Sequence, residues 1–250
     1  MDFDTELMEE GEWGFCSMWT EAFEPFCGRL LLNKSLAQDY FFNRCSLNGC
    51  RDLDREIQKL RSIRNDQGIE FAVYERSDSL AKKDLALIDV MYTLVKPVTE
   101  AAGPRLKGIE DLHYEVIEAG DDALRSEWGK VFCRSFEVPH WSSEVLRITN
   151  QDRFRETVSL KLARSGEKFV GCLAAHSHRG LAGLYCLGTL PEWRRMGAAT
   201  ALLRSTTCEG AGQIYLQALR SEQNVAFYER EGFVVKYSKS IYSLNSHPTL

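Results

Sequence analysis

Four apolar positions, Leu53, Ile57, Leu60 and Ile63, recur at helical spacing with charged residues between them, which predicts an amphipathic helix over 52–63. Before it, Trp13, Phe15, Trp19, Phe23 and Phe26, then Leu30-Leu31-Leu32 and Tyr40-Phe41-Phe42, follow no clean period. They are read as a helix near 13–23 and apolar segments around 29–32 and 39–45. Runs at 70–74 and 86–95, with a polar turn at 77–79, read as strands. The stretch 96–112 holds Pro97, Gly103, Pro104 and Gly108 and few large apolar residues, so it is the linker candidate. A boundary near residue 105 gives an N-terminal domain, 1–105, and a C-terminal domain, 106–250, both of ordinary domain size.

Beyond the linker the pattern sharpens. A strand is expected at 114–117, and a helix over 121–136 whose acidic start suits its dipole. Ser142 or Ser143 can cap a second helix through Leu146 and Ile148. Val158, Leu160 and Leu162 alternate on one face of 155–163, and Ser165-Gly166-Glu167-Lys168 turns that strand into 169–176. A second turn at 177–180 leads into an apolar strand that Pro191 stops. Met196, Ala199, Leu202 and Leu203 then recur at helical spacing. After the glycine stops Gly210 and Gly212 come a strand at 214–219 and a helix from Ser221 through Tyr228 to Gly232, with 233–237 and 240–244 as a closing hairpin. From 113 onward the order is β-α-α-β-β-β-α-β-α-β-β, a mixed α/β arrangement.

The join between the apolar strand and the helix carries candidate chemistry. Arg194, Arg195 and Gly197 lie in a strand–loop–helix unit that leads basic side chains and backbone N–H groups into a helix N-terminus. Such a place suits an anion, phosphate above all.

Composition changes the picture only slightly. The chain has 250 residues, 44% hydrophobic and 27% charged, and a net charge of −5, which argues against a nucleic-acid partner. Eight cysteines (Cys16, Cys27, Cys45, Cys50, Cys133, Cys172, Cys186, Cys208) are scattered without a CxxC pair, so no metal site is expected. Cys172 and Cys186 fall in apolar runs and read as buried thiols. The acidic start, Met1-Asp2-Phe3-Asp4, lacks the features of a signal peptide, and no stretch approaches a membrane span. Reduced thiols and a cytoplasmic location are the expectation.

Two motifs identify the chain as similar to the GNAT superfamily of N-acetyltransferases, over about residues 113–245. The first is Leu187-Gly188-Thr189-Leu190-Pro191 followed by Arg194-Arg195-Met196-Gly197-Ala198-Ala199, which resembles the family's strand end and R/Q-x-x-G-x-G/A loop. Thr189 stands where valine is usual, and Ala199 where the last glycine is commoner. The second is Asn224-Val225-Ala226-Phe227-Tyr228-Glu229-Arg230-Glu231-Gly232-Phe233, which fits N-x-x-x-Y-x-x-x-G-F at every position. Two signatures on their expected elements are far more specific than either alone.

The resemblance implies the GNAT fold, a mixed central sheet flanked by helices, here with a second, smaller N-terminal α/β domain. It implies acetyl-CoA as cofactor. By position, Leu187, Gly188 and Thr189 would bind the pantetheine arm, and Arg194, Arg195, Met196, Gly197, Ala198, Ala199 and Thr200 the pyrophosphate. Asn224 would touch the cofactor arm, and Tyr228 would lie near the thioester sulfur as proton donor. The bland readings are a turn glycine at Gly197, solvated arginines, and a core-packing tyrosine.

The general base is not legible. His176 at its strand end is one candidate, with His140, Glu137 and Gln217 in neighbouring segments, and a water relay would need none of them. The expected reaction is direct acetyl transfer to an amine: a small amine, an amino-acid-like molecule or a protein amine. The rival is a non-catalytic acyl-CoA sensor of the same fold. Residues 1–105 lack the cofactor loop and are read as a degenerate GNAT-like half or a lid, covering the acceptor side or mediating a homodimer.

Overall fold

The computed structural model describes residues 3–22, 27–37, 39–77, 79–98, 114–206 and 210–245. In chain order the elements are α1 (Phe3–Trp19), β1 (Glu21–Ala22), β2 (Arg29–Leu32), β3 (Arg44–Ser46), α2 (Leu53–Gln67), β4 (Ala72–Glu75) and β5 (Ala86–Pro97). They continue as β6 (Glu115–Glu118), α3 (Asp122–Ser135), α4 (Ser142–Thr149), α5 (Asp152–Thr157), β7 (Val158–Ser165), β8 (Lys168–His178) and β9 (Leu181–Thr189). Last come α6 (Ala198–Ser205), β10 (Gln213–Leu219), α7 (Val225–Arg230) and β11 (Val234–Ser243). The fold is mixed α/β, and it comprises two compact units assembled from interleaved segments. One holds Met1–Glu12, Val95–Leu216 and Arg230–Phe233; the other holds Trp13–Leu94, Gln217–Glu229 and Val234–Leu250. The domain boundary expected near residue 105 lies outside the described residues.

In the second unit, β1, β2 and β3 pair antiparallel in turn, β3 and β4 pair parallel, and β11 joins β4 antiparallel. Helix α2 starts where the Asp52 side chain accepts from Arg55 N–H at 3.1 Å, and it ends at Gly68, whose φ of 64° only glycine adopts at little cost. Its apolar stripe, Ile57 and Leu60, packs on Leu30, Leu32, Phe71 and Val73. Burying such a side chain contributes about 1.5–3 kcal/mol.

In the first unit, β6, β7, β8 and β9 form an antiparallel run, and β10 joins β9 in parallel. Asp121 caps α3 by accepting from Leu124 N–H at 2.8 Å. Trp128, fully buried, donates its indole N–H to Leu173 O at 3.0 Å and so docks α3 on β8. Arg125 satisfies the end of α4 by donating to Thr149 O at 2.9 Å.

Several expectations are corrected. In place of the hairpin expected over 233–244, Val234–Ser243 form the single strand β11, with Lys239 buried at 2% exposure where a turn was expected. A short helix, α5, fills 152–157, because Asp152 starts a turn before the alternation of β7 takes over. Helix α1 begins at Phe3 and stops at Trp19, well short of residue 23. The thiols are not all free: Cys27 and Cys50 form a disulfide. Arg29 pairs with Ser46 in the β2–β3 hairpin, so the chain two residues before Arg29 and four after Ser46 comes back together. Cys186 is half-buried, not fully buried, while Cys172 is completely enclosed.

Candidate active site

The site is built on the far end of β9. Its ladder with β10 runs from Gln213↔Leu181 to Leu216↔Leu184, and β9 continues beyond that last rung to Thr189. On the other side, the register with β8 passes from Ala174↔Tyr185 to Cys172↔Gly188. Two residues, Cys186 and Leu187, therefore stand opposite Leu173 alone, and Cys186 takes a φ of 55°. This is a β-bulge, a device that re-aims backbone groups at one point of a strand. Gly188 follows, and a Cβ there would lie 2.8 Å from Ser135 Cβ and 3.1 Å from Cys172 Sγ. Glycine lets the end of α3 close on β9.

Leu190 N–H donates to Val170 O at 2.9 Å, then Pro191–Trp193 make one 3-10 turn. The loop swings through Arg195 at φ 63° and Gly197 at φ 95° before α6 begins. Gly197 O accepts from Ala201 N–H at 2.9 Å, and no side chain caps the helix. The N–H groups of Ala198, Ala199 and Thr200 thus lack intrahelical partners and lie at the positive end of the helix.

The loop side chains divide between internal contacts and exposure. Arg194 donates through Nη2 to Ser135 O at 2.9 Å and through Nε to Thr189 O at 3.3 Å, so its guanidinium braces the loop against α3 and β9. Arg195 and Met196 are exposed. Thr200 is buried, and its hydroxyl donates to Glu231 Oε1 at 3.0 Å. Glu231 Oε2 also accepts from Arg204 Nε at 3.1 Å. Sequence reasoning passed over Glu231, which reads there as one more charge in a polar run.

His176 is 6% exposed and faces Gly183 on β9, four residues or about 13 Å along the strand from Leu187. Burial, with His178 and Arg153 nearby, lowers its pKa to about 4 although the Gly11 backbone contact opposes this. The ring is neutral at pH 7. His140 and Glu137 are exposed, and Glu137 takes a φ of 59°.

Asn224 and Tyr228 belong to the second unit. There Arg220 N–H donates to Val90 O at 2.8 Å, and Ser221 Oγ bonds Asp89, so the turn before α7 is held on β5. Asn224 Nδ2 donates to Glu222 Oε2 at 3.3 Å. Burial, then the Glu222 carboxylate, push the Tyr228 phenol well above its ordinary value. Burial chiefly, and Asp89 as well, raise Glu222 itself. Neither carboxylate carried a sequence signal. Among the described residues, no group of three or more His, Cys, Asp or Glu side chains could hold a metal, and no helix is long and apolar enough to cross a membrane.

The acetyltransferase (GNAT) domain family matches residues 158–235, which contain the bulge, the loop, α6 and α7. Over that segment the chain is similar to the GNAT acetyltransferase domain. GNAT neighbours among solved structures extend the likeness of fold beyond that match. A GCN5-related N-acetyltransferase from Kribbella flavida is 12% identical with a TM-score of 0.64, over 95% of this chain and 93% of that one. A GCN5-related N-acetyltransferase from Sphaerobacter thermophilus is 14% identical with a TM-score of 0.64, over 89% and 77%. A functionally unknown conserved protein from Staphylococcus epidermidis ATCC 12228 is 14% identical with a TM-score of 0.60, over 89% and 93%. No curated protein matches the chain. The domain matched over 158–235 is one of acyl-transferring enzymes, and the solved neighbours add likeness of fold.

Proposed function

We propose that this protein is a GNAT-type, acetyl-CoA-dependent N-acetyltransferase that moves the acetyl group directly to an amine. The observation that carries the reading is the bulge at Cys186-Leu187, on a strand that has outrun its ladder with β10 and leads into an uncapped helix N-terminus. Strand backbone beyond its last rung suits the amide groups of a pantetheine arm, as in peptide capture at a sheet edge. The unpartnered N–H groups of Ala198, Ala199 and Thr200, with the left-handed turns at Arg195 and Gly197, suit a pyrophosphate. The donor set therefore fits CoA.

When bound, the cofactor supplies an activated acetyl thioester whose sulfur leaves as a thiolate. The chain's own groups do the rest. A backbone N–H at Leu187, turned by the bulge, would donate to the thioester carbonyl oxygen as charge grows there. Leu187 to Thr189 would hold the arm in register, and Arg195 would add positive charge at the loop. Arg194 acts one step back, by bracing the loop.

Tyr228 stays protonated across the neutral range, because its phenol is pushed upward. A phenol above ~10 does not give up its proton fully to a thiolate of pKa near ~8.5; it would instead donate a hydrogen bond to the sulfur. His176, neutral, buried and far along β9 from the bulge, has no part in the proposed chemistry. Deprotonation of the amine is assigned to water. A cationic amine is favoured as acceptor by the net charge of −5.

The test is release of CoA thiol from acetyl-CoA in the presence of a panel of amines, with wild type and Tyr228→Phe compared. The expected result is amine-dependent release that falls about 10–100-fold in kcat for Tyr228→Phe with KM for acetyl-CoA little changed. Tight acetyl-CoA binding with no turnover on any amine would favour a sensor. Equal kcat for both proteins would remove the phenol from the mechanism.

A further inference from the structure

We infer that Glu231 is a positioning residue for the cofactor loop: its buried carboxylate clamps α6 and so holds the loop amides where a pyrophosphate can meet them. The inference rests on the CoA reading above and assigns a role to a residue within the second motif that the motif itself leaves open. Glu231 is 9% exposed overall, and its two oxygens are divided between two residues of one helix. Oε1 accepts from Thr200 Oγ1 at 3.0 Å, at the third position of α6. Oε2 accepts from Arg204 Nε at 3.1 Å, one turn further on. Both bonds come from the same face of the helix, so together they fix its rotation as well as its height.

The clamp is itself anchored. Lys96 Nζ donates to Glu231 O at 2.7 Å, and its side chain lies over the Phe233 ring, 5.6 Å from the centroid. Gly232, at φ 89°, turns the chain between these two contacts. The carboxylate is therefore held from its own backbone, and α6 is held from the carboxylate. Residues 198–200 supply the helix N–H groups assigned to phosphate, so any rotation of α6 moves them directly. Thr200 is thus used twice: its hydroxyl serves the clamp, and its N–H is one of the three assigned to phosphate.

Charge alone predicts the opposite result, which makes the sign of the effect diagnostic. Glu231 is an anion beside a site proposed to bind an anion. Removing it also releases the Arg204 charge. If electrostatics governed, Glu231→Ala would tighten CoA binding. If positioning governs, Glu231→Ala weakens it in spite of the gain in positive charge. Gln keeps an oxygen for Thr200 and an overall shape like that of Glu, so Glu231→Gln should restore most of the loss.

The experiment is calorimetric titration of the full chain with CoA, for wild type, Glu231→Ala, Glu231→Gln and Thr200→Val, with unfolding temperature of each apo protein and acetyl-transfer kinetics alongside. The expected result is a five- to tenfold rise in Kd for Glu231→Ala, a smaller rise of the same sign for Thr200→Val, and Kd within about twofold of wild type for Glu231→Gln. KM for acetyl-CoA follows Kd, while kcat at saturation stays within about twofold. A lowered unfolding temperature with unchanged Kd would overturn the inference and leave Glu231 a purely structural residue. Tighter binding by Glu231→Ala would overturn it in favour of simple charge. Failure of the wild type to bind CoA would instead overturn the cofactor reading, and the clamp's role with it; if Glu231→Ala does not fold, Thr200→Val decides.

Discussion

Replacing Gly188 by alanine should test how closely α3 closes on the bulged end of β9. The new Cβ would lie 2.8 Å from Ser135 Cβ, 3.0 Å from Phe136 Cε2 and 3.1 Å from Cys172 Sγ. Carbon pairs rest at about 3.5–4.0 Å, so the overlap with Ser135 approaches ~1 Å. Phe136 is 44% exposed and can swing aside, whereas Ser135 and Cys172 are buried and cannot. The strand end must therefore move away from α3, at a cost of about 1–3 kcal/mol. In a chain of this size each kcal/mol corresponds to roughly 2–4 °C in unfolding temperature. The assay is thermal unfolding of Gly188→Ala beside Gly212→Ala, where nothing lies within 4 Å of the added Cβ. The control should stay within about 0.5 kcal/mol of wild type. Because Gly188 lies between the bulge and the loop, CoA affinity should fall as well. Wild-type unfolding temperature in Gly188→Ala would refute the packing argument.

Three further outcomes are expected. His176 is held neutral at a pKa of about 4 against 6.5 unfolded, so its contribution is complete above pH 6.5 and is lost as pH falls toward 4. Over that window wild type should lose up to about 3 kcal/mol that His176→Gln does not lose, while the variant keeps acetyl transfer at pH 7–8; parallel pH–stability curves would contradict this. Arg194→Ala should lower both unfolding temperature and CoA affinity, since its guanidinium serves two backbone carbonyls, whereas Arg195→Ala should lower affinity alone; the reverse pattern in the two variants would sink the assignment. The Cys27–Cys50 bridge spans 23 residues, and its loss in Cys27→Ser should cost about 3 kcal/mol on the loop-entropy estimate. Added reductant should then lower the unfolding temperature of wild type but not of the variant, and mass spectrometry finding both thiols free in native protein would remove the bridge.

What was legible in the sequence followed local periodicity. Helix α2 declared itself through Leu53, Ile57, Leu60 and Ile63, and α6 through its alanines and leucines after a glycine. The bulge was not legible, because Tyr185-Cys186-Leu187 is uniformly apolar and the extra residue shows only against the register of β8. The disulfide was hidden for a related reason: its half-cystines meet through the pairing of β2 with β3. Ser238-Lys239 was the turn between the two expected strands, yet Lys239 is buried within β11, so tertiary context overrode composition. Arg194 and Glu231 show the same limit for side chains. A charge in a polar run reads as solvated until the carbonyls or hydroxyls it serves are in place. The placement of His176 was equally hidden: that it lies buried about 13 Å along β9 from Leu187 shows only in the register of β8 with β9.

If the strand end and loop bind CoA, thermal unfolding of the full chain with acetyl-CoA, free CoA and ATP will show it. At a concentration about 100 times its dissociation constant, a ligand that binds only the folded state adds about 2.7 kcal/mol. The expected result is a clear upward shift with acetyl-CoA and with CoA, and none with ATP. An unfolding temperature that does not move at millimolar acetyl-CoA would contradict it.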